Sequence, residues 1–455
     1  MTIREFWDRI RSSIFFVPGV LVLVGVVLAG LLVEADRQLS DKLLRSTPWL
    51  FRAGASGARE VLSTIASAMG QLAAITFSVT IVALALRSQQ FGPRLLRNFT
   101  SDRLNQVILG TFIGTFAYCL LVLRAVRDLE DASLEHGTFV PLIAVTFAVV
   151  LALAALGLFI AFIQRVVDSI QATSIVAEAA EATHAAIEHL FPEQLGEDDE
   201  REDEEEPPPF VGAAEVRAPQ TGYIVKMDKK KLLERTREAG VILRMEAPIG
   251  GFVVKGTALA TVMPSSQMTA ELHERLQEVY RIGRHRSVPD DPEFGIRQIV
   301  DVAVKALSPS MNDPTTAVTC VEFLGALLID LATREIPSPL RRDEQGHLRV
   351  IALGSSFSGM VRLAFDQIQE HGREDVAVTV ALLETLIRVA RAVRAPARRQ
   401  ALEAQLWKVA RGADDAIVDP ADRERINELL RLAMEQVRGD EAGAVHYMLE
   451  LRQAK

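Results

Sequence analysis

Cysteine is scarce in this chain, and its placement excludes two kinds of structural site. Cys119 and Cys320 are the two cysteines among 455 residues, and they lie far apart in the sequence. Neither has a neighbour at the spacing that zinc sites, redox motifs or disulfide frameworks require. We therefore expect no disulfide framework and no metal site.

The chain also lacks an excess of positive charge, because its 50 Lys and Arg residues are outnumbered by 59 Asp and Glu residues and its net charge is −9. The run EDDEREDEEE at 197–206 has nine acids and one Arg and so contributes −8, which leaves the rest nearly neutral. Nucleic-acid binders usually carry a clear basic surface, so nucleic acid is not an expected partner. The run cannot bury apolar surface and predicts a solvated linker over 193–209; binding of cations or of a basic partner is the alternative.

Motifs of catalysis are missing as well. The chain has no P-loop, no nucleophile elbow and no dinucleotide-binding glycine motif. One cluster of ionisable residues suggests chemistry but lacks the spacing of metal ligands; it consists of His273, His285, Asp290, Asp291 and Asp301. We predict that the protein is not an enzyme, has no catalytic, cofactor-binding or metal-binding residues, and uses no cofactor.

What the chain does have is long apolar runs. Four stretches contain no charged residue: 12–33, 61–86, 104–123 and 137–164. Each has about 20 residues or more, enough for a helix that rises 1.5 Å per residue to cross roughly 30 Å of hydrocarbon. The sequence predicts four transmembrane helices within residues 1–166, embedded in a lipid bilayer. Because these runs contain no Asp, Glu, Lys, Arg or His, proton-coupled transport is disfavoured.

The loops indicate an orientation. The second loop carries Arg87, Arg94, Arg97 and Arg103, whereas the third loop is rich in Asp and Glu. Cytoplasmic loops carry an excess of Lys and Arg, and an even number of spans puts both termini on one side. Although the first loop is basic too, we predict that both termini face the cytoplasm and that Arg87 and Arg94 lie at the inner mouth of the second span.

The second span has an unusual polar face. Its members lie at spacings of four, four and seven residues, which place them on one side of a helix: Ser63, Ser67, Gln71 and Ser78. Hydroxyl and amide groups that face lipid cost free energy, so this face must meet another helix or water. The sequence leaves both interpretations open, hydrogen bonding between helices and the lining of a pore.

The third span contains a motif of close helix packing. Gly110 and Gly114 are separated by three residues, the spacing that lets two helix backbones approach closely in lipid. The motif fits packing within one chain, and contact between copies of the chain is the alternative.

The remainder of the chain predicts a soluble α+β region. Residues 167–192 continue as a helical extension, and short β-prone runs with Gly and Pro over 210–263 predict a small β-barrel-like unit. This unit is similar to biotinyl and lipoyl carrier domains. Those domains display a modifiable Lys on a hairpin, whereas Lys229–Lys231 open a helix here, so we predict a structural or contact barrel. A mainly helical domain follows over 264–455.

Two features stand out in that helical domain. Around a predicted tight joint, Arg297 and Asp301 lie one turn apart on a helix, Asn312 suits a turn, and Asp313 is placed to cap the helix 314–333. Farther on, the segment 388–411 has seven basic residues and one acid. It predicts a solvated helix face, or else docking on anionic lipid headgroups or on the acidic linker.

Five segments of the sequence are similar to a known family. They are GAREVLSTIA (57–66), FSVTIVALALRSQQFGPRLL (77–96), LGTFIGTFAY (109–118), FGIRQIVD (294–301) and ALSPSMNDPTTA (306–317). These strings resemble a bacterial family of predicted membrane proteins with a domain of unknown function. The resemblance implies a bacterial inner-membrane location and four spans, and it implies no catalytic residue.

Two functional hypotheses follow. The first is a homo-oligomeric membrane pore for ions or small solutes, with a cytoplasmic domain that assembles or gates it. It is motivated by the uncharged polar face of the second span, and four spans are too few for a typical monomeric transporter. The alternative is a membrane-anchored scaffold or sensor whose spans serve as an anchor.

Overall fold

A computed structural model describes residues 16–46, 54–91, 103–126, 139–191 and 209–438. The chain forms two compact units, Met1–Gln171 and Ala172–Lys455. Most of the predicted linker 193–209, the loop residue Arg94 and the acidic third loop lie outside the described residues.

In its described residues, the first unit is a bundle of four apolar helices. They are α1 (Phe16–Ser46), α2 (Ala55–Phe91), α3 (Arg103–Ala125) and α4 (Leu142–Ile170). The central helix is α3, which packs against each of the other three. Half of its apolar span is buried, whereas 17% of the spans of α1 and α2 and 22% of that of α4 are buried. The other three helices therefore turn most of their surface outward.

Small residues set the distance between α1 and α3. A Cβ added at Gly114 would lie 2.9 Å from the carbonyl oxygen of Leu21, and one added at Gly110 would lie 2.8 Å from Cα of Pro18. A Cβ added at Gly25 on α1 would likewise lie 2.6 Å from the carbonyl oxygen of Gly114. The glycine motif of the third span thus lies at a contact within the chain, where the two backbones touch without side chains between them.

The second unit contains most of the helices. They are α5 (Ala172–Leu190), α6 (Lys229–Glu238), α7 (Ala270–Gln277), α8 (Pro292–Ala306), α9 (Pro314–Ala332), α10 (Phe357–Gly372), α11 (Val376–Ala392), α12 (Pro396–Ala416) and α13 (Pro420–Arg438). The predicted extension of the fourth span is a separate helix, since Gln171 is extended (φ −70°, ψ 132°) and ends α4. After this break, α5 packs against α8 and α9.

A fifth helix of the described chain, α9, is also long and apolar enough to cross a membrane. It packs against α5, α8, α10 and α11 of its own unit. Cys320, Leu324 and Leu328 on this helix are fully or almost fully buried. Burial in a helical core therefore accounts for the hydrophobicity of α9, and the four predicted spans are those of the first unit.

Eight short strands form two sheets in the described part of the second unit. They are β1 (Ala214–Arg217), β2 (Gly222–Met227), β3 (Ile242–Met245), β4 (Phe252–Val253), β5 (Ala258–Met263), β6 (Tyr280–Gly283), β7 (Leu340–Arg342) and β8 (Leu348–Ile351). The larger sheet has the order β1-β5-β3-β8-β7, and the smaller one the order β4-β2-β6. Side chains from both sheets, such as Leu243 and Ile224, share one hydrophobic core.

The β unit extends beyond the predicted boundary at residue 263. Strand β6 pairs with β2, and β8 runs parallel to β3 with Val350 opposite Leu243. Burial of Val350 in the shared core explains why this distant hairpin joins the sheet. Lys229–Lys231 begin α6, where the side chain of Asp228 accepts a hydrogen bond from the backbone of Lys231.

The joint between α8 and α9 follows local backbone chemistry. Asn312 has a φ of +48°, the left-handed conformation that Asn tolerates better than most residues. Asp313 accepts hydrogen bonds from the backbone and hydroxyl of Thr316 and so caps α9. Arg297 donates to Gln367 of α10 at 2.8 Å, one turn before Asp301 on α8. These contacts fix the angle between three helices.

Candidate functional site: the polar face of the second span

The four polar residues of the second span lie on the outside of the bundle. Ser63, Ser67, Gln71 and Ser78 are all exposed. The opposite side of α2 is buried against the bundle and consists of Leu62, Ala66, Met69, Thr76 and Ala83. Within one chain, the predicted polar face therefore does not lie in a helix–helix contact.

Two further residues extend this face toward the start of the helix. Ser56 and Glu60 precede Ser63 at spacings of four and three residues, and both are exposed. Together with Ser63, Ser67, Gln71 and Ser78 they form what we call the α2 stripe. Ser56 and Glu60 lie before the charge-free run 61–86 and so fall outside the polar face that this run predicts. Helical periodicity carried back past residue 61 finds both.

The other helices present apolar residues at their exposed positions. Those of α1 include Val20, Leu23, Val24, Val26, Val27 and Leu31. Those of α4 include Val150, Leu153, Leu156, Ile160 and Ile163. These surfaces suit lipid, since aliphatic side chains lose nothing in hydrocarbon. Over residues 16–33 of α1 and 142–163 of α4 the exposed positions are all apolar or glycine, whereas the α2 stripe places exposed polar side chains at the middle of its span.

The stripe ends within α2. Beyond Ser78 the exposed positions are apolar and include Ile81, Val82 and Leu86. Gln71 lies near the midpoint of the apolar span Ala55–Leu86. The side chain of Arg87, which follows this span on α2, and the whole of Arg94 lie outside the described part, so the predicted basic mouth stays a prediction.

The free-energy cost makes the stripe unlike an ordinary lipid face. Moving an amide or hydroxyl from water into an apolar phase without a hydrogen-bond partner costs roughly 2–7 kcal/mol. Ser hydroxyls can bond to their own helix backbone, which reduces their share of the cost. The amide of Gln71 has two donors and an acceptor that the helix backbone does not satisfy. At mid-span it requires water or another protein surface.

A second polar cluster connects α1, α3 and α4 through buried hydrogen bonds. The carboxylate of Asp36 is buried and accepts hydrogen bonds from the backbone of Ile143 (3.0 Å) and Ala144 (2.9 Å). These amides are at the start of α4, where Pro141 provides no side-chain cap. The hydroxyl of Tyr118 donates to the carbonyl of Ala144 at 2.8 Å. Helices α1, α3 and α4 therefore meet at one polar point.

Asp36 caps the start of α4 although it lies more than a hundred residues before that helix in the sequence. The first amides of a helix have no partner within the helix, and its positive end attracts a carboxylate. The charge-free run that predicts the first span ends at residue 33, whereas α1 continues through Asp36 to Ser46. Asp36 lies within the apolar segment Phe16–Gln38. No local sequence pattern indicates that Asp36 joins α1 to α4.

The ionisable cluster of the second unit is dispersed among structural contacts. His273 accepts a hydrogen bond from the backbone of Arg217, and Asp291 caps α8. Arg286 donates two hydrogen bonds to Asp291, at 2.8 and 2.9 Å, and the backbone of Gly250 covers the pair. Among the residues that the structure describes, no three His, Cys, Asp or Glu side chains are grouped to hold a metal ion.

Electrostatics in the second unit also indicate structural roles. Hydrogen bonding to Arg349 lowers the pKa of Asp343, which also accepts from the backbone of His347 and Gln345. Burial raises the pKa of the Cys320 thiol to about 12, which leaves it protonated and unreactive near neutral pH. Burial likewise raises the pKa of Tyr280.

Comparison with known proteins agrees with this architecture. Residues 11–388 match the family described as Predicted membrane protein (DUF2254), which covers both the bundle and most of the second unit. The chain belongs to this family. Family members similar to it include the Uncharacterized protein Rv1290c of Mycobacterium tuberculosis and the Uncharacterized protein Mb1321c of Mycobacterium bovis. Each is 31% identical over 435 residues, which are 93% of this chain and 80% of the relative. No solved structure matches the chain.

Proposed function

We propose that this member of the family is a homo-oligomeric pore for ions or small solutes. The observation that supports the proposal is the α2 stripe, a row of polar residues, uncharged except for Glu60, that is exposed along an apolar span. In an assembly of several copies, the stripes of neighbouring copies would face a common axis. The apolar faces of α1 and α4 would then face lipid.

The stripe has the chemistry of a water-filled wall. Pore linings combine hydroxyl and amide groups with rings of charge near the mouths, and selectivity depends on both. In this arrangement the Gln71 amides form the polar ring at mid-span. Glu60 forms an acidic ring nearer the Ala55 end. One chain has one such face, so oligomerisation is a requirement of the proposal.

The proposal includes a location and an orientation. The chain lies in a bacterial inner membrane with both termini in the cytoplasm, as the loop charges predict. The Ala55 end of α2, with Glu60, is then the outer end. The second unit is cytoplasmic and assembles or gates the pore, since α5 follows α4 after a single residue and packs against α8 and α9.

Conductance and assembly measured together test this function. Replacement of Gln71 by Leu exchanges a polar ring for an apolar one, which dewets a narrow constriction. We expect oligomers on native gels to persist while single-channel current in planar bilayers falls at least several-fold. Leu153→Ala, a change at an exposed position of α4, is the control and should leave current unchanged.

The opposite result favours a scaffold. If the stripes pack directly against one another, Gln71→Leu removes hydrogen bonds between copies worth on the order of 1 kcal/mol each. Oligomers would then dissociate at lower detergent concentration, and a current that does not depend on Gln71 would contradict the pore. The alternative function, a membrane-anchored scaffold or sensor, would take its place.

A further inference from the structure

The turn between α11 and α12 is a concentrated basic surface. Residues 391–399 (RAVRAPARR) contain four arginines and no acid, and we call them the arginine turn. Arg391, Arg394 and Arg399 are exposed. In the described part of the chain, none of these three forms an ion pair with a carboxylate, whereas Arg388 pairs with Glu384 and Lys408 with Asp366.

The fourth arginine fixes the turn to a neighbouring helix end. Arg398 donates hydrogen bonds to the carbonyls of Ala332 (2.8 Å) and Arg334 (2.9 Å). These carbonyls are at the end of α9, where carbonyl groups lack partners within the helix. Arg398 is therefore a structural residue. The other three arginines lie within seven residues of it along the chain, at positions 391, 394 and 399.

The end of α9 also contacts Phe191, the last described residue before the segment that contains the acidic run. Arg334 is buried and donates to the carbonyl of Phe191 at 3.1 Å, just after α5 ends. Arg334 also pairs with Asp330 at 2.8 Å. Thus the backbone of Arg334 contacts the arginine turn and its side chain contacts Phe191. Phe191, the last described residue before 192–208, therefore contacts the same residue as Arg398 of the turn.

Length and charge match the run to the turn. Five residues separate Phe191 from the acidic run 197–206, and an extended chain spans at most about 3.3–3.6 Å per residue, so the run starts within roughly 20 Å of Phe191. The run carries −8. Opposite charges in water attract one another over a Debye length of about 8–10 Å, so a run that reaches Arg391, Arg394 and Arg399 would be attracted by guanidinium groups that have no carboxylate partner in the described residues.

We propose that the acidic run 197–206 docks on the arginine turn of its own chain through Arg391, Arg394 and Arg399. The contact is electrostatic and depends on salt. It neutralises a basic surface that would otherwise bind anionic lipid headgroups, and so keeps the second unit from adhering to the membrane surface. This inference concerns the second unit and does not depend on pore activity.

Distances between spin labels on the full-length chain test the contact. Labels are placed at Ala397→Cys in the turn and Arg201→Cys in the run, with the protein in nanodiscs of zwitterionic lipid; the native Cys119 and Cys320 are both buried. At low salt we expect a short, narrow distance population. This short distance should be lost at 500 mM salt, where the Debye length is about half its value at physiological ionic strength.

Two sets of charge variants provide the comparison. Arg391→Gln, Arg394→Gln and Arg399→Gln together should abolish the short distance at low salt. Arg281→Gln, Arg362→Gln and Arg425→Gln remove the same charge at exposed positions on β6, α10 and α13 and should preserve it. A distribution that is indifferent to salt and to the turn variant would overturn the proposal.

Two further outcomes identify a different occupant and also overturn it. If dilution with unlabelled protein removes the short distance, the run docks on another copy. If no short distance forms, while binding to vesicles of anionic lipid requires Arg391, Arg394 and Arg399, the turn is a lipid site. Persistence of the short distance under dilution supports the contact within one chain.

Discussion

Asp36 on α1 accepts a hydrogen bond from the backbone of Ala144 on α4 at 2.9 Å, and so caps a helix that starts more than a hundred residues later. The same residue of α4 accepts a hydrogen bond from Tyr118 on α3. A single turn of α4 therefore joins three helices of the bundle. Because these contacts are buried, the removal of one partner would leave the other without a hydrogen bond and would lower the free energy of unfolding.

Loss of the Asp36 carboxylate should destabilise the bundle. Asp36→Ala leaves two amides of α4 without a partner, and we expect a loss of about 1–3 kcal/mol in the free energy of unfolding in detergent. The control is Glu34→Ala on the same helix, which removes an exposed pair with Arg37 and should change stability by less than about 0.5 kcal/mol. Equal effects of the two variants would contradict the capping role.

The Tyr118 hydroxyl should contribute less to the free energy of unfolding than Asp36 does, and the contributions of the two residues should be coupled. Tyr118→Phe keeps the ring, which packs edge-on against Phe147, and removes one buried hydrogen bond worth about 1 kcal/mol. Because Asp36 and Tyr118 hold the same residue of α4, their effects should not add. A double-mutant cycle should give a coupling of about 0.5 kcal/mol or more. Strict additivity would show that the two contacts act separately.

The contact of α1 with α3 should not tolerate a methyl group. Gly114→Ala would place a Cβ 2.9 Å from the Leu21 carbonyl, and forcing the helices apart should cost about 1–3 kcal/mol. Gly157→Ala on α4, where nothing lies within 4 Å, is the control and should be neutral or slightly stabilising. Thermal unfolding of the two variants in the same detergent compares them directly. Equal midpoints would argue against this packing.

The hairpin of β7 and β8 should confer stability that depends on pH. The pKa of Asp343 is lowered, so its ionised form is favoured in the folded state and contributes stability above its ordinary pKa. This contribution is lost as the pH falls through the lowered value. Asp343→Asn should therefore be less stable than the natural protein at pH 7, and the difference should shrink below about pH 4. Unfolding midpoints measured from pH 3 to 7 provide the check, and a constant difference would contradict it.

Local patterns in the sequence predict several parts of this structure. The spacing of Ser63, Ser67 and Gln71 indicates one helical face, and the glycine spacing at 110 and 114 indicates close packing. Asn312 and Asp313 likewise predict a turn and a cap from their own chemistry. In each case the signal and the structure lie within a few residues of one another.

Contacts between distant parts of the chain could not be predicted in this way. Nothing near Asp36 indicates that its partner is the backbone of Ala144, because the amides of any helix start look alike in sequence. The parallel pairing of Leu243 with Val350 depends on a shared core. That the α2 stripe faces outward depends on how α3 packs, since a polar face by itself suits an inner or an outer position equally well.

The proposed pore requires that the α2 stripe borders water in the assembled membrane protein. Gln71→Cys in native membranes, treated with a membrane-impermeant cationic thiol reagent, tests it most directly. Leu153→Cys, exposed on α4 at a lipid-facing position, is the control, and the native Cys119 and Cys320 are buried. The pore predicts rapid modification at position 71 and none at 153. Protection of Gln71→Cys, with disulfide cross-links between copies at that position under oxidation, would contradict it.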